Sequence, residues 1–159
     1  MLKITLITVG ALKEKYFSEA SKEYEKRLGA FCSLNVVELE QTKLPSEPSS
    51  AEIAIALKKE AEKIEKALPK GAAVIPLCIE GKEIDSEALS QKITELEFSY
   101  SHLCFIIGGS FGIDESIKQK ANMKLSMSKM TFPHRLARIM LLEQLYRAFK
   151  ITQGSTYHK

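Results

Sequence analysis

Little in this sequence invites covalent cross-linking or metal chemistry. Only three of its 159 residues are cysteines, Cys32, Cys78 and Cys104, an odd number with no CxxC pair. That count argues against a disulfide framework, and the apolar runs around Cys78 and Cys104 mark them as small core residues. The three histidines, His102, His134 and His158, stand at no spacing that ligates a metal, so no metal is expected. No apolar stretch approaches the roughly 20 residues of a membrane helix. The opening MLKITLITVG lacks a basic leader before a long apolar core; it is short, partly alternating and ends in glycine, as a strand does. A cytoplasmic protein is the expectation. Acids are scarce at one end: Lys118 to Lys159 hold nine Lys or Arg and one acid, Glu143, whereas Met1 to Ile117 hold fourteen against nineteen. A net charge of +3 therefore conceals a basic C-terminal region, the form taken by a face for a polyanion. By charge alone, a basic solvated surface has the same signature.

What is present is an ordinary globular composition, 45% hydrophobic and 27% charged, with enough length for one domain over 1–159 and a substantial core. Strand and helix patterns alternate along it. LKITLITV (2–9) reads as a strand, and Lys15 to Leu28 as an amphipathic helix ended by Gly29. LNVVELE (34–40) is a second strand. SSAE (49–52) has the capping-box form, with Glu three residues after Ser, and opens a helix to about Leu68, before Pro69 and Gly71. AAVIPLCI (72–79) is a third strand; Pro76 cannot donate to a ladder and points to an edge, a bulge or the end of pairing. Asp85 to about Phe98 is helical, LCFIIGG (103–109) is a buried strand running into glycines, 114–121 is a short helix and MKLSM (123–127) a weak strand. Pro133 then stands in the first turn of a helix to about Thr152. Alternation of this kind predicts an α/β fold, a mainly parallel sheet with helices on both faces. The last helix has Leu136, Ile139, Met140, Leu141, Leu142, Leu145, Tyr146, Phe149 and Ile151 at nearly every angle about its axis. A helix apolar all round is buried all round, and at the end of a small domain a second subunit covers it most easily; a homodimer is expected.

Two loops and the tail carry candidate chemistry. IIGGSFG (106–112) follows an apolar strand, and its glycines let the backbone approach a ligand closely. Its G-G-x-x-G spacing is neither the dinucleotide fingerprint nor a P-loop, so it suggests a nucleotide-like ligand without naming one. SKMTFPHRLAR (128–138) also follows an apolar strand, and in a parallel sheet both loops emerge at one edge, where they can form a pocket. At the C-terminus, Tyr157, His158 and Lys159 could stack on a base and contact phosphate if the tail docks, or simply fray.

Taken together, IIGGSFG, LSMSKMTFPHRLARIMLLEQLYRAFKI and the final YHK resemble the ribosomal large-subunit pseudouridine N3-methyltransferase family, minimal members of the SPOUT class. LKITLITVGALKEKYFSEASKEYEKRL at the N-terminus fits as well, so the resemblance spans essentially the whole chain. It implies a C-terminal α/β trefoil knot, an obligate homodimer, and S-adenosylmethionine bound in the knot's loops near the subunit interface. The cofactor contacts it implies are Leu77, Gly108 and Gly109, with Met127, Ser128, Lys129, Met130, Thr131 and Phe132. The reaction implied is methylation of N3 of a pseudouridine in a 23S rRNA stem-loop within the assembled ribosome. N3 must lose its proton to become a good nucleophile, and His134, Arg138, Tyr157 and His158 are the candidates to assist, with Lys129 a further candidate for phosphate. No single general base stands out among them, and in a dimer the tail of one subunit can complete the other's site. Two other readings share these residues: a SPOUT methyltransferase for tRNA or another rRNA site, and a non-catalytic ribosome-associated RNA-binding protein.

Overall fold

A computed structural model describes residues 1–158; Lys159, the last residue of the tail, lies outside the described residues. The elements alternate as β1 (Lys3–Val9), α1 (Lys15–Leu28), β2 (Ser33–Leu39), α2 (Ser50–Ala67), β3 (Ala73–Glu83), α3 (Ser86–Glu97), β4 (His102–Ile107), α4 (Glu115–Lys118), β5 (Leu125–Ser126) and α5 (His134–Thr152). The strands form one sheet in the order β2-β1-β4-β3-β5, and every pairing is parallel.

Alternation of side chains across each strand builds two cores. In register, Ile4 lies beside Leu103 and Leu103 beside Ala73, while Leu6 lies beside Phe105 and Phe105 beside Ile75. These residues face α1, α3 and α5, meeting Leu28, Leu89, Ile93, Leu141, Leu142 and Leu145. The intervening residues Ile7, Val74, Cys104 and Ile106 meet Ala61, Ile64 and Ile117 of α2 and α4 on the other face. Leu141, Leu142 and Leu145 are wholly buried, and each contributes about 1.5–3 kcal/mol relative to exposure. Helix α5 is thus seated between α1 and α3 by one face alone. Its Leu136 remains exposed, and Ile139, Met140 and Ile151 are only half-buried.

The helix signals work as expected, with local differences. Ser49 and Glu52 form a reciprocal capping box at α2, and Asp85 caps α3 by accepting from the Ala88 N–H at 2.7 Å. Gly29 ends α1 in right-handed geometry rather than the left-handed conformation that favours glycine. Pro133 is the N-cap of α5, one residue before its first turn. The fourth helix and fifth strand are shorter than their sequence patterns, at four and two residues.

The third strand differs most, running on to Glu83. Pro76 is the last residue paired with β4. Beyond it the chain switches partner to β5, pairing at Leu77 and again at Lys82 and Glu83, with the intervening residues bulged out. Close passage at this point needs glycine: a Cβ on Gly81 would lie 2.8 Å from the carbonyl carbon of Leu125 and 2.9 Å from the Ser126 nitrogen.

Candidate functional site

Because all five strands run the same way, their carboxyl ends deliver four loops, 10–14, 40–49, 108–114 and 127–133, to one edge of the sheet. The strand order also reverses there. The connection from β1 leads outward to β2, while that from β4 leads the opposite way, past β3 to β5. Open α/β sheets bind ligands at such a switch point, since the diverging connections leave a crevice above the two strands.

Two clefts occupy this edge. The first, about 880 Å³, lies over β3, β4 and β5 and is walled by Leu77, Ile79, the 108–112 loop and the 126–133 loop. The second, about 830 Å³, lies over β1 and β2, between Gly10 to Lys13 and the 38–48 segment. Ser110, Phe111, His134 and Arg135 line both, so a single wall separates the two.

The loops are shaped from within. In the glycine loop, Gly109 and Gly112 bridge across a tight turn, the Gly112 N–H donates to the Gly109 carbonyl at 3.1 Å, and Gly112 has φ +88°. A Cβ on Gly108 would stand 2.4 Å from the Gly112 oxygen, so the turn folds directly onto the end of β4. In the second loop, the Ser126 hydroxyl donates to the Ser128 carbonyl and the Ser128 hydroxyl accepts from the Met130 N–H. The backbone N–H groups of Lys129, Thr131 and Phe132 have no partner among the described residues. Apolar side chains beside free main-chain donors suit a ligand with an aromatic face and polar edges, as a nucleoside has.

At the shared wall the His134 ring rests against Gly10, whose φ is +111° and whose added Cβ would be 3.0 Å from Nε2. Burial, followed by the neighbouring Arg135 charge, lowers the His134 pKa, with Glu14 opposing, so the ring is neutral near pH 7. Arg135 donates to Glu14 Oε1 at 2.5 Å. On the far side of the first cleft, Lys118 pairs with Glu80, holding that carboxylate below its usual range.

Among the residues expected at a cofactor site, Leu77, Gly108, Gly109, Met127, Ser128, Met130, Thr131 and Phe132 all line the first cleft, as does His134. Lys129 does not line it, and its side chain is exposed. Arg138 lies in neither cleft. It is 6% exposed, with Nη1 2.6 Å from Glu38 Oε2 and Nη2 3.8 Å from Glu25 Oε1, and ties α5 to β2 and α1. Tyr157 and His158 are docked but stay away from both clefts of their own chain. The Tyr157 hydroxyl donates to Glu143 at 3.2 Å, its ring meets Tyr146 edge-on at 5.0 Å, and the Arg147 guanidinium lies 4.8 Å from its centroid. Burial and Glu143 raise the Tyr157 pKa, keeping the phenol protonated. His158 Nδ1 is 3.2 Å from Arg147 Nη1.

Sequence reasoning missed Ile79 and Glu80, because the strand was expected to end at 79 and its bulge brings both to the cleft. It also misplaced Cys78: Cys32 and Cys104 are in the core, their thiols pushed up to about 11 and about 12 by burial, but Cys78 is half-buried on the cleft wall. The second cleft was missed too, since apart from Ser110, Phe111, His134 and Arg135 its lining comes from the 10–13 and 38–48 segments, which carry no motif. Pro45 and Pro48 were the available signal.

A family profile described as "Predicted SPOUT methyltransferase" matches residues 2–158. Ribosomal RNA large subunit methyltransferase H of Streptococcus suis is 50% identical over 159 residues, covering 99% of this chain and 100% of the relative. The protein of the same name from Bifidobacterium adolescentis is likewise 50% identical, and that from Leuconostoc mesenteroides 48%, both with the same coverage. These matches take in both cleft loops and the docked tail. The chain belongs to the SPOUT methyltransferase family.

Proposed function

We propose that this protein transfers the methyl group of S-adenosylmethionine to N3 of a pseudouridine in a 23S rRNA stem-loop, acting on the assembled ribosome as a homodimer. One observation carries the reading. The GGSFG and SKMTFPHR loops, distant along the chain, meet as walls of one cleft at the sheet edge, in a chain about half identical, end to end, to ribosomal RNA large subunit methyltransferases H.

S-adenosylmethionine, when bound, supplies a methyl group already activated on a sulfonium. Leu77, Gly108, Gly109 and the Met127 to Phe132 loop would hold it, Lys129 through its main chain. The remaining work is alignment, exclusion of water and removal of the N3 proton. His134, neutral and at the wall between the clefts, is in the protonation state that accepts the proton. Tyr157 and His158 serve the site from the partner subunit, because their own chain holds them against α5 and away from its clefts. Arg138 supports the base of α5 through its carboxylate partners.

The exposed and half-buried apolar residues of α5 support the dimer, as a second copy would cover Leu136, Ile139, Met140 and Ile151. A trefoil knot is supported by the close packing of 124–126 against Gly81, where β5 pairs with the far end of β3 before the chain turns into the cleft loop and α5.

The deciding experiment incubates the protein and labelled S-adenosylmethionine with ribosomes lacking the modification and, separately, with tRNA. Label in 23S rRNA, mapped to N3 of a pseudouridine, is expected. Labelling of tRNA alone overturns the substrate assignment, and no S-adenosylmethionine binding by calorimetry overturns the enzyme.

A further inference from the structure

None of the residues proposed to hold the cofactor lines the second cleft, yet it is firmly built. Glu60, 6% exposed, accepts the Thr42 N–H at 3.0 Å through Oε2, and Lys63 Nζ donates to the Glu40 carbonyl at 3.2 Å. Gln41 Nε2 reaches the Ser110 hydroxyl at 3.2 Å, fastening this segment to the glycine loop. The cleft is therefore preformed, and its volume is in the range of small-molecule sites.

Its contents are those of a nucleotide site. Phe111, at the tip of the glycine loop, stays 47% exposed while lining the cleft, a free aromatic face on which a base can stack. Lys13 and Lys43 are exposed on the rim and have no ion-pair partner among the described residues. Arg135 is engaged by Glu14 and Glu38 by Arg138, leaving Glu40 as the one lining acid without such a partner among the described residues. Only the wall of Ser110, Phe111, His134 and Arg135 separates this cleft from the first. That wall stands at the switch point between β1 and β4. Methyl transfer requires acceptor and donor to approach across a short gap, and this is the one place where the two clefts meet.

We propose that the second cleft is the acceptor pocket, taking a pyrimidine nucleotide swung out of its RNA stem-loop, with Phe111 as the stacking platform and Lys13 and Lys43 on flanking phosphates. The proposal rests on the methyltransferase reading above. It places the reactive edge of the base toward His134, where the N3 proton leaves to Nε2 as the N3–methyl bond forms and the methyl–sulfur bond breaks.

The test uses full-length protein, S-adenosylmethionine and unmodified ribosomes. Phe111→Ala is expected to raise KM for ribosomes about tenfold, the loss of one base stack, and to raise the S-adenosylmethionine Kd by a clearly smaller factor, since the ring also lines the first cleft. Lys13→Ala with Lys43→Ala is expected to weaken ribosome binding and to flatten its logarithmic salt dependence by about 0.7 per lost phosphate contact. All three residues are at least partly exposed, and melting temperatures close to wild type will show that the variants fold. The acceptor assignment is overturned if Phe111→Ala weakens S-adenosylmethionine as much as it raises the ribosome KM, or leaves that KM unchanged. An unchanged salt slope in the lysine double variant overturns the phosphate contacts. Absence of transfer by the wild-type protein on any RNA would instead overturn the methyltransferase reading itself, so the two failures are distinguishable.

Discussion

Replacing Gly108 by alanine adds one methyl group where the structure has no room for it. The new Cβ would lie 2.4 Å from the Gly112 oxygen, 2.7 Å from the Gly112 carbonyl carbon and 2.8 Å from Ile113 Cγ1. Two of these are main-chain atoms of a tight turn, which cannot swing aside as a side-chain end can. The 109–113 turn must therefore retreat by about 0.6–1 Å to restore ordinary contact. That turn is a wall of the first cleft, the proposed cofactor site, and a displacement of about 1 Å at a reacting centre costs on the order of 10²-fold in rate. Overpacking of this kind also costs about 1–3 kcal/mol of stability, or roughly 2–12 °C in a domain of this size. The expected result for Gly108→Ala is an S-adenosylmethionine Kd weakened tenfold or more by calorimetry and a transfer rate on unmodified ribosomes down about 10²-fold. Gly71→Ala is the control: its φ of +75° makes alanine costly, but the added Cβ would meet no atom of the described residues within 4 Å and the residue is outside both clefts. It should lower the melting temperature while leaving the cofactor Kd unchanged. If Gly108→Ala binds S-adenosylmethionine as wild type does, the glycine loop is not the wall of the cofactor site.

The remaining expectations concern charge and the tail. Glu38→Ala should destabilise the protein more than Arg138→Met in urea unfolding at fixed protein concentration, by up to about 3 kcal/mol. It strands a buried guanidinium that methionine would replace with apolar volume; the opposite order would mean that Arg138 does not depend on this pairing. Tyr157→Ala with His158→Ala should cut turnover about 10²–10⁴-fold and leave the cofactor Kd within twofold, and a collapse of cofactor affinity would make the tail structural. Burial lowers the pKa of both His102 and His134, so the unfolded chain takes up protons first as the pH falls. The melting temperature should therefore decline from about pH 6.5 downward, above the carboxylate range. His102→Gln with His134→Gln should flatten that decline between pH 7.5 and 5.5; an identical decline in the variant would refute it.

The α/β class, the parallel sheet and the two cleft loops could be read from the sequence because each depends on short-range rules. Continuous apolar runs such as LCFII mark strands covered on both faces, and Ser49 with Glu52 closes a box three residues wide. Parallel pairing then forces GGSFG and SKMTFPHR to the same edge. Tertiary structure alone decided three other matters. It chose partners for charges: Arg138 finds Glu38, one hundred residues away, and Tyr157 finds Glu143 on the preceding helix, and no local pattern encodes such pairs. It gave β3 a new partner, β5, beyond Pro76, where the sequence already marked an edge, a bulge or the end of pairing, because Gly81 lets the returning chain pass within contact distance. And it assembled the second cleft from Gly10, Gln41 and Phe111 of three loops and His134 at the start of α5, whose common property is the edge to which the sheet delivers them.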